Sequence, residues 1–150
     1  MPTTTVTPAE EFAAAWERFF RTTRRLRARA GRAAVAGLSI AQYQLLEALR
    51  ETDELTVGEL ADAAGVAAPT ATRMLDGLAR DGHVERVQST ADRRVVLVTL
   101  TPSGRVALEA AHRNATAFRR RVFERLPEDE RPQATAVLAR LSQVLEAELA

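Results

Sequence analysis

Residues 56–100 read TVGELADAAGVAAPTATRMLDGLARDGHVERVQSTADRRVVLVTL. Thr56-Val57-Gly58-Glu59 is a capping box, a hydroxyl and a carboxylate three residues apart that satisfy each other's backbone donors. It opens a helix of about two turns, closed at Ala64-Gly65. The apolar positions Ala71, Met74, Leu75 and Leu78 then predict a second helix from Val66 to Arg80, stopped by Asp81-Gly82. Two strand-like runs follow, His83–Gln88 and Arg94–Leu100; the second, RVVLVTL, is strongly β-prone. The polar loop 89–93 between them makes the pair a hairpin.

Working outward, Ser39-Ile40-Ala41-Gln42 is another capping box, opening a short helix that carries Tyr43, Leu45, Leu46 and Leu49. A further box, Thr7-Pro8-Ala9-Glu10, places proline at the first helical position. Behind it Phe12, Trp16, Phe19, Thr23, Leu26 and Ala30 recur at helical spacing, one stripe of a helix over 9–30 that breaks near Gly31. Thr101-Pro102 caps a long helix over 103–126. After a turn of acids at 128–130, a last helix carries Val137, Leu138, Leu141, Val144, Leu145 and Leu149. Pro132 would kink a helix begun at Pro127, so the regular part is placed at 132–149. The order is α-α-α-α-β-β-α-α, mainly α with a small β-hairpin wing. It has no internal repeat or linker and reads as a single domain over 1–150.

Composition narrows the function. A chain of 150 residues, 46% hydrophobic and 27% charged, is globular and long enough for one core. Cysteine is absent, which excludes a disulfide scaffold, a thiolate metal site and thiol redox sensing. No apolar run reaches the roughly 18 residues of a membrane span. The N-terminus lacks a signal peptide's basic and apolar regions. The expectation is a cytoplasmic protein with no membrane partner. Two histidines alone make a poor metal site. The HExxH, GxSxG, P-loop and GxGxxG motifs are all missing, so no metal, cofactor or catalytic residue is expected. An acid–base site at His112 is the remaining enzyme alternative. All 21 basic residues are arginine, and their distribution is uneven: residues 1–37 carry net +4, 38–101 net −4 and 102–150 net +1.

The segment 56–80 is a helix-turn-helix pattern, and the hairpin after it makes a winged helix. A helix fits the major groove of a duplex, and its N-terminal side chains reach base edges. Here those are Ala67, Ala68, Pro69, Thr70, Thr72 and Arg73. Methyl groups meet thymine, hydroxyls meet bases or phosphates, and arginine forks onto guanine. The hairpin tip carries Asp92-Arg93-Arg94, where an arginine can enter a narrow minor groove. The backbone amides at the helix starts Ser39, Thr56 and Ala67 suit phosphates. The competing uses of these cations are ion pairs: Arg73 with Asp76 or Asp62, and Arg94 with Asp92 in a solvated turn.

The ordered set Leu38–Leu46 (LSIAQYQLL), Thr56–Ala61 (TVGELA), Thr72–Leu78 (TRMLDGL), Asp81–Val84 (DGHV) and Asp92–Thr101 (DRRVVLVTLT) resembles the MarR (multiple antibiotic resistance regulator) type of transcription factor. The resemblance implies a homodimer interlocked by the helices 9–30 and 103–149, with two winged helices of residues 38–101 facing a palindromic double-stranded operator. It implies a base-reading helix over Ala67–Arg80, a wing contact at Arg94 with Arg93 beside it, and bracing by Asp92. A serine often caps the recognition helix where Ala67 stands here. The acidic lobe requires a local footprint built from Arg73, Arg86, Arg93 and Arg94. The run Arg21, Arg24, Arg25, Arg27, Arg29 and Arg32 reads first as a solvated helix face and second as phosphate neutralisation. The resemblance also implies a repressor released by a small aromatic or phenolic acid, held in a cleft with Trp16, Phe20, Arg24, Tyr43, Leu46, His112 and Thr116 as candidates. Burial in the dimer core is the competing reading of the aromatic residues, and Tyr43 reads as plain core. A constitutive DNA-binding protein with no effector is the other alternative.

Overall fold

The computed structural model describes residues 6–30 and 37–149; the helix break at Gly31 and the side chain of Arg32 lie outside them. Helix α1 runs Pro8–Ala30, α2 Ile40–Leu46 with a 3-10 turn Glu47–Arg50, α3 Val57–Ala64, α4 Ala68–Arg80, α5 Pro102–Arg125 and α6 Arg131–Glu148. Strands β1 Glu54–Thr56, β2 Val84–Gln88 and β3 Val96–Leu100 form an antiparallel sheet in the order β1-β3-β2. The chain divides into two compact units, Met1–His112 and Arg113–Ala150.

The helix starts follow their capping boxes. Ser39 Oγ accepts from the Gln42 amide while Gln42 Oε1 accepts from the Ser39 amide. Thr56 and Glu59 do the same for α3. Glu59 accepts from both the Thr56 amide and hydroxyl, which holds its carboxyl below the usual range. Gly65 at φ +63° closes α3, with the Val66 amide reaching back to the Ala61 carbonyl at 3.0 Å. This is the left-handed closure glycine supplies without Cβ strain. Pro132 stands in the first turn of α6, where its missing N–H costs nothing.

Two expectations need correction. The sheet has a third strand beyond the expected hairpin: Leu55 pairs with Val98 and Glu54 with Thr99. Three residues are too few to show an alternating pattern, and their pairing is made by a strand some forty residues away. The second helix begins at Ala68, with Ala67 as its extended cap residue.

In the first unit α2, α3 and α4 pack on one another and α4 packs on β2. The core is Leu38, Leu45, Leu46, Leu49, Leu60, Leu75, Leu78, Val98 and Leu108, all fully enclosed. Each such leucine contributes roughly 1.5–3 kcal/mol by leaving water. The start of α5 is pinned beside the wing. The Thr101 and Ser103 hydroxyls both donate to the Gly82 carbonyl, at 2.6 and 2.8 Å. Gly104 is required there, because a Cβ at that position would collide with the His83 carbonyl. In the second unit α6 buries none of its residues, and Val137, Leu138, Val144 and Leu145 all stand exposed.

Candidate nucleic-acid interface

Helix α4 is sharply two-faced. Ala71, Leu75 and Leu78 are buried, while Ala68, Pro69, Thr72, Arg73, Asp76 and Arg80 stand exposed. The core face fixes the rotation of the helix, so the opposite face is the one offered to a partner. Its first turn has no side-chain cap: Ala67 is extended, and the Thr70 and Ala71 amides fall back on its carbonyl at 2.9 and 3.0 Å. Loss of a capping hydroxyl costs about 1 kcal/mol. Ser39 and Thr56, by contrast, have their cap and third-position amides taken by their own capping boxes. Thr70 is half-buried. The Thr72 hydroxyl donates to the Ala68 carbonyl at 2.9 Å and keeps its oxygen as an acceptor.

The expected competition for Arg73 does not occur. Among the described residues no ion pair includes it, because Asp76 binds Arg86 of β2 at 2.7 Å. Arg86 is therefore a brace between α4 and β2 rather than a free cation. Sequence reasoning missed this pair: residues 76 and 86 meet only once the chain has turned from helix to strand.

The wing tip is a built structure. Ser89 Oγ accepts from the Ala91 and Asp92 amides, at 3.2 and 3.5 Å. Asp92 Oδ1 accepts from the Arg94 amide at 3.0 Å. The Arg94 guanidinium then closes on both carboxylate oxygens, at 3.1 Å each. Arg94 beside Asp92 holds that carboxyl below its ordinary range. The Arg94 side chain is nevertheless 90% exposed. The pairing of Arg94 with Asp92 and the bracing by Asp92 are one geometry. Arg93 is exposed and, among the described residues, in no ion pair.

The effector candidates fall into two groups and a remainder. Trp16 and Phe20 meet on α1 as tilted rings, centroids 4.7 Å apart at 47°, and Arg24 follows one turn later. Tyr43 is buried, but it is not plain core: its hydroxyl donates to Glu47 Oε1 at 2.6 Å and lies 3.1 Å from His112 Nδ1. Leu46 is wholly buried in the first unit's own core and offers no surface to a ligand. Thr116 is exposed and lies in the second unit.

A model of the MarR family matches residues 38–96. The HTH-type transcriptional repressor MdtR of Bacillus subtilis is 32% identical over 110 residues, 73% of this chain and 71% of MdtR. Streptococcus pneumoniae FabT in complex with DNA has the same fold, with a TM-score of 0.77 at 24% identity over 91% of this chain and 98% of FabT. A MarR point mutant from E. coli, complexed with operator DNA, gives 0.69 at 26% identity over 83% of this chain and 91% of its own. These relatives are regulators rather than enzymes, which removes the acid–base reading of His112. With a named repressor aligned over more than two thirds of its length on a winged helix-turn-helix lobe, the chain belongs to the MarR family of transcription regulators.

Proposed function

We propose that the protein is a sequence-specific repressor that binds a palindromic double-stranded operator as a homodimer. The observation that carries this reading is the solvent-facing side of α4, where Arg73 and Thr72 stand beside an uncapped helix start and, among the described residues, no ion pair occupies Arg73. Helix α4 lies in the major groove, Arg73 forking onto a guanine. Arg94, with Arg93 beside it, enters the adjacent minor groove, steered by the clasp on Asp92.

The dimer is supported by apolar side chains that one chain leaves in water: Phe12 and Phe19 on α1, Val122 and Phe123 on α5, Leu138 and Leu145 on α6. A second copy removes that cost. Two-fold symmetry then sets the recognition helices about 34–36 Å apart, one duplex turn. The lobe 38–101 reads DNA and the helices 9–30 and 103–149 dimerise. Repression is supported by the function named for MdtR.

Release by a small aromatic or phenolic acid is the finer part of this reading. The Trp16–Phe20 pair supplies an aromatic surface, and Arg24 supplies a partner for a carboxylate. Such a ligand lowers operator affinity by binding the DNA-incompetent conformer more tightly.

Selection of duplexes from a random library, followed by binding to the selected site, tests the proposal. The expected outcome is one palindromic site, bound in a salt-sensitive way by a species of twice the chain mass in light scattering. A chain that stays monomeric at micromolar concentration, or selects no sequence, overturns it.

A further inference from the structure

Helix α1 carries a second surface that base reading does not use. Between Arg18 and Ala30 the sequence holds six arginines and no acid. At about 100° per residue, Arg18, Arg21, Arg25 and Arg29 fall within about 80° of arc, and the Phe12–Trp16–Phe19–Leu26 stripe lies about 135° away. All four arginines are exposed, and no ion pair among the described residues includes any of them. Like charges three and four residues apart on a helix repel, each pair destabilising it by about 0.2–0.5 kcal/mol. Among the described residues no ion pair relieves this repulsion, and the helix C-terminus favours only the last of the four, Arg29.

We infer that the Arg18–Arg21–Arg25–Arg29 face is a phosphate track for duplex DNA flanking the base-reading site. This rests on the DNA-binding reading above and adds a second contact region to it. Three observations select DNA backbone as the occupant. The lobe 38–101 carries net −4, so a phosphate backbone is repelled by the unit that must read it. Among the described residues the cations on the exposed face of α4 and the wing that stand in no ion pair are three, Arg73, Arg80 and Arg93; Arg94 is shared with Asp92 and Arg86 is held by Asp76. Finally, only nine backbone steps separate Arg29 from the core residue Leu38. They span at most about 32 Å when fully extended, which keeps the C-terminal end of the track within about one duplex turn of the lobe. The track itself is about 17 Å long. It meets phosphates as point charges, so it adds affinity without sequence preference.

The test uses the full chain and the duplex it selects, presented at about 20 base pairs, two turns, and again at about 40 with random flanks. In the variant Arg18→Gln/Arg21→Gln/Arg25→Gln/Arg29→Gln, glutamine keeps helix propensity at exposed positions; circular dichroism confirms the fold. The wild type should bind the longer duplex more tightly than the shorter one. The variant should keep its affinity for the short duplex and lose the gain on the long one, about tenfold or more at low salt. Its salt slope on the long duplex should be shallower by up to about 3.6 per protomer, 0.9 for each lost contact. Equal affinity of wild type and variant for the long duplex overturns the inference and leaves base reading intact. So does a wild type indifferent to flank length that binds vesicles of phosphatidylserine and phosphatidylcholine through these arginines. If the wild type selects no site at all, the DNA reading itself fails and the track falls with it.

Discussion

The start of α4 and the tip of the wing hold their arginines in opposite ways. Arg73 stands on a helix whose rotation is fixed by Leu75 and Leu78, but its own head group has no ion pair among the described residues. Arg94 stands on a loop, yet its head group is held on both oxygens of Asp92. In the first region a helix packed on the core carries an unpaired cation; in the second a hydrogen-bonded loop carries a cation already oriented. An unpaired guanidinium can turn to whichever base edge the groove presents. A clasped one has part of its ordering cost met before binding, at the expense of some of the charge a narrow groove attracts. The two regions are coupled by the Arg86–Asp76 pair, which ties the strand leading to the wing to the exposed face of the helix.

The largest expected effect comes from breaking the rigid half. Leu75 is fully buried under α4. Leu75→Ala should cost about 2–5 kcal/mol of stability, read from urea unfolding. Operator affinity should fall with it, because helix rotation is what aims Arg73. Full affinity in a folded but destabilised variant would show that the aim of Arg73 does not depend on this packing.

Next in size is Arg73→Ala. Removal of one base contact is worth about 1–3 kcal/mol, and the loss should be confined to one position in each half-site. Binding to a panel of single-base operator variants reads this directly. A uniform loss across the panel would move Arg73 into the same category as the wing, a cation that grips without reading.

Asp92→Asn decides the role of the clasp by its sign. If Asp92 only adds negative charge beside phosphates, its neutralisation strengthens binding. If it orients Arg94, neutralisation weakens binding by roughly threefold to tenfold despite the more favourable charge. The gel-shift titration should show weakening, greatest on sites with A·T-rich minor grooves. Tighter binding would erase the contrast between the two regions.

Both regions could be read from sequence, whereas the contact that joins them could not. The helix-turn-helix was legible because its determinants are local: the Thr56–Glu59 box, Gly65 and the apolar spacing of Ala71, Leu75 and Leu78 all act within one or two turns. The Asp92–Arg94 clasp was legible for the same reason, a side chain reaching two residues along the chain. What escaped depends on contacts between elements. Strand β1 exists because β3 offers it a ladder. Asp76 looked as suited to Arg73, three residues away, as to anything else, and only the packing of β2 beside α4 gives it to Arg86. Leu46 looked like a cleft residue because its face of α2 depends on where α3 and α4 pack. The expected effector surface was thus the least legible part, being composed of side chains from separate helices.

The smallest effect is the acid response of the clasp. Asp92 has its carboxyl lowered first by the Arg94 side chain and then by the Arg94 amide. A carboxyl lowered in the folded state stabilises that state in full above its unfolded value of about 3.8. The contribution is lost as pH falls through the lower, folded value. At neutral pH Asp92 is therefore ionised, and no titration of it near pH 7 should weaken the clasp. Carbon-detected NMR of the Asp92 carboxyl should give a midpoint below 3.8 in the wild type. Arg94→Gln should raise that midpoint towards the ordinary value, part of the lowering remaining through the residue-94 amide. An unchanged midpoint in Arg94→Gln would mean the guanidinium is not seated on Asp92 in solution. The wing cation would then be as free as Arg73, and the difference between the two regions would lie only in the scaffold beneath them.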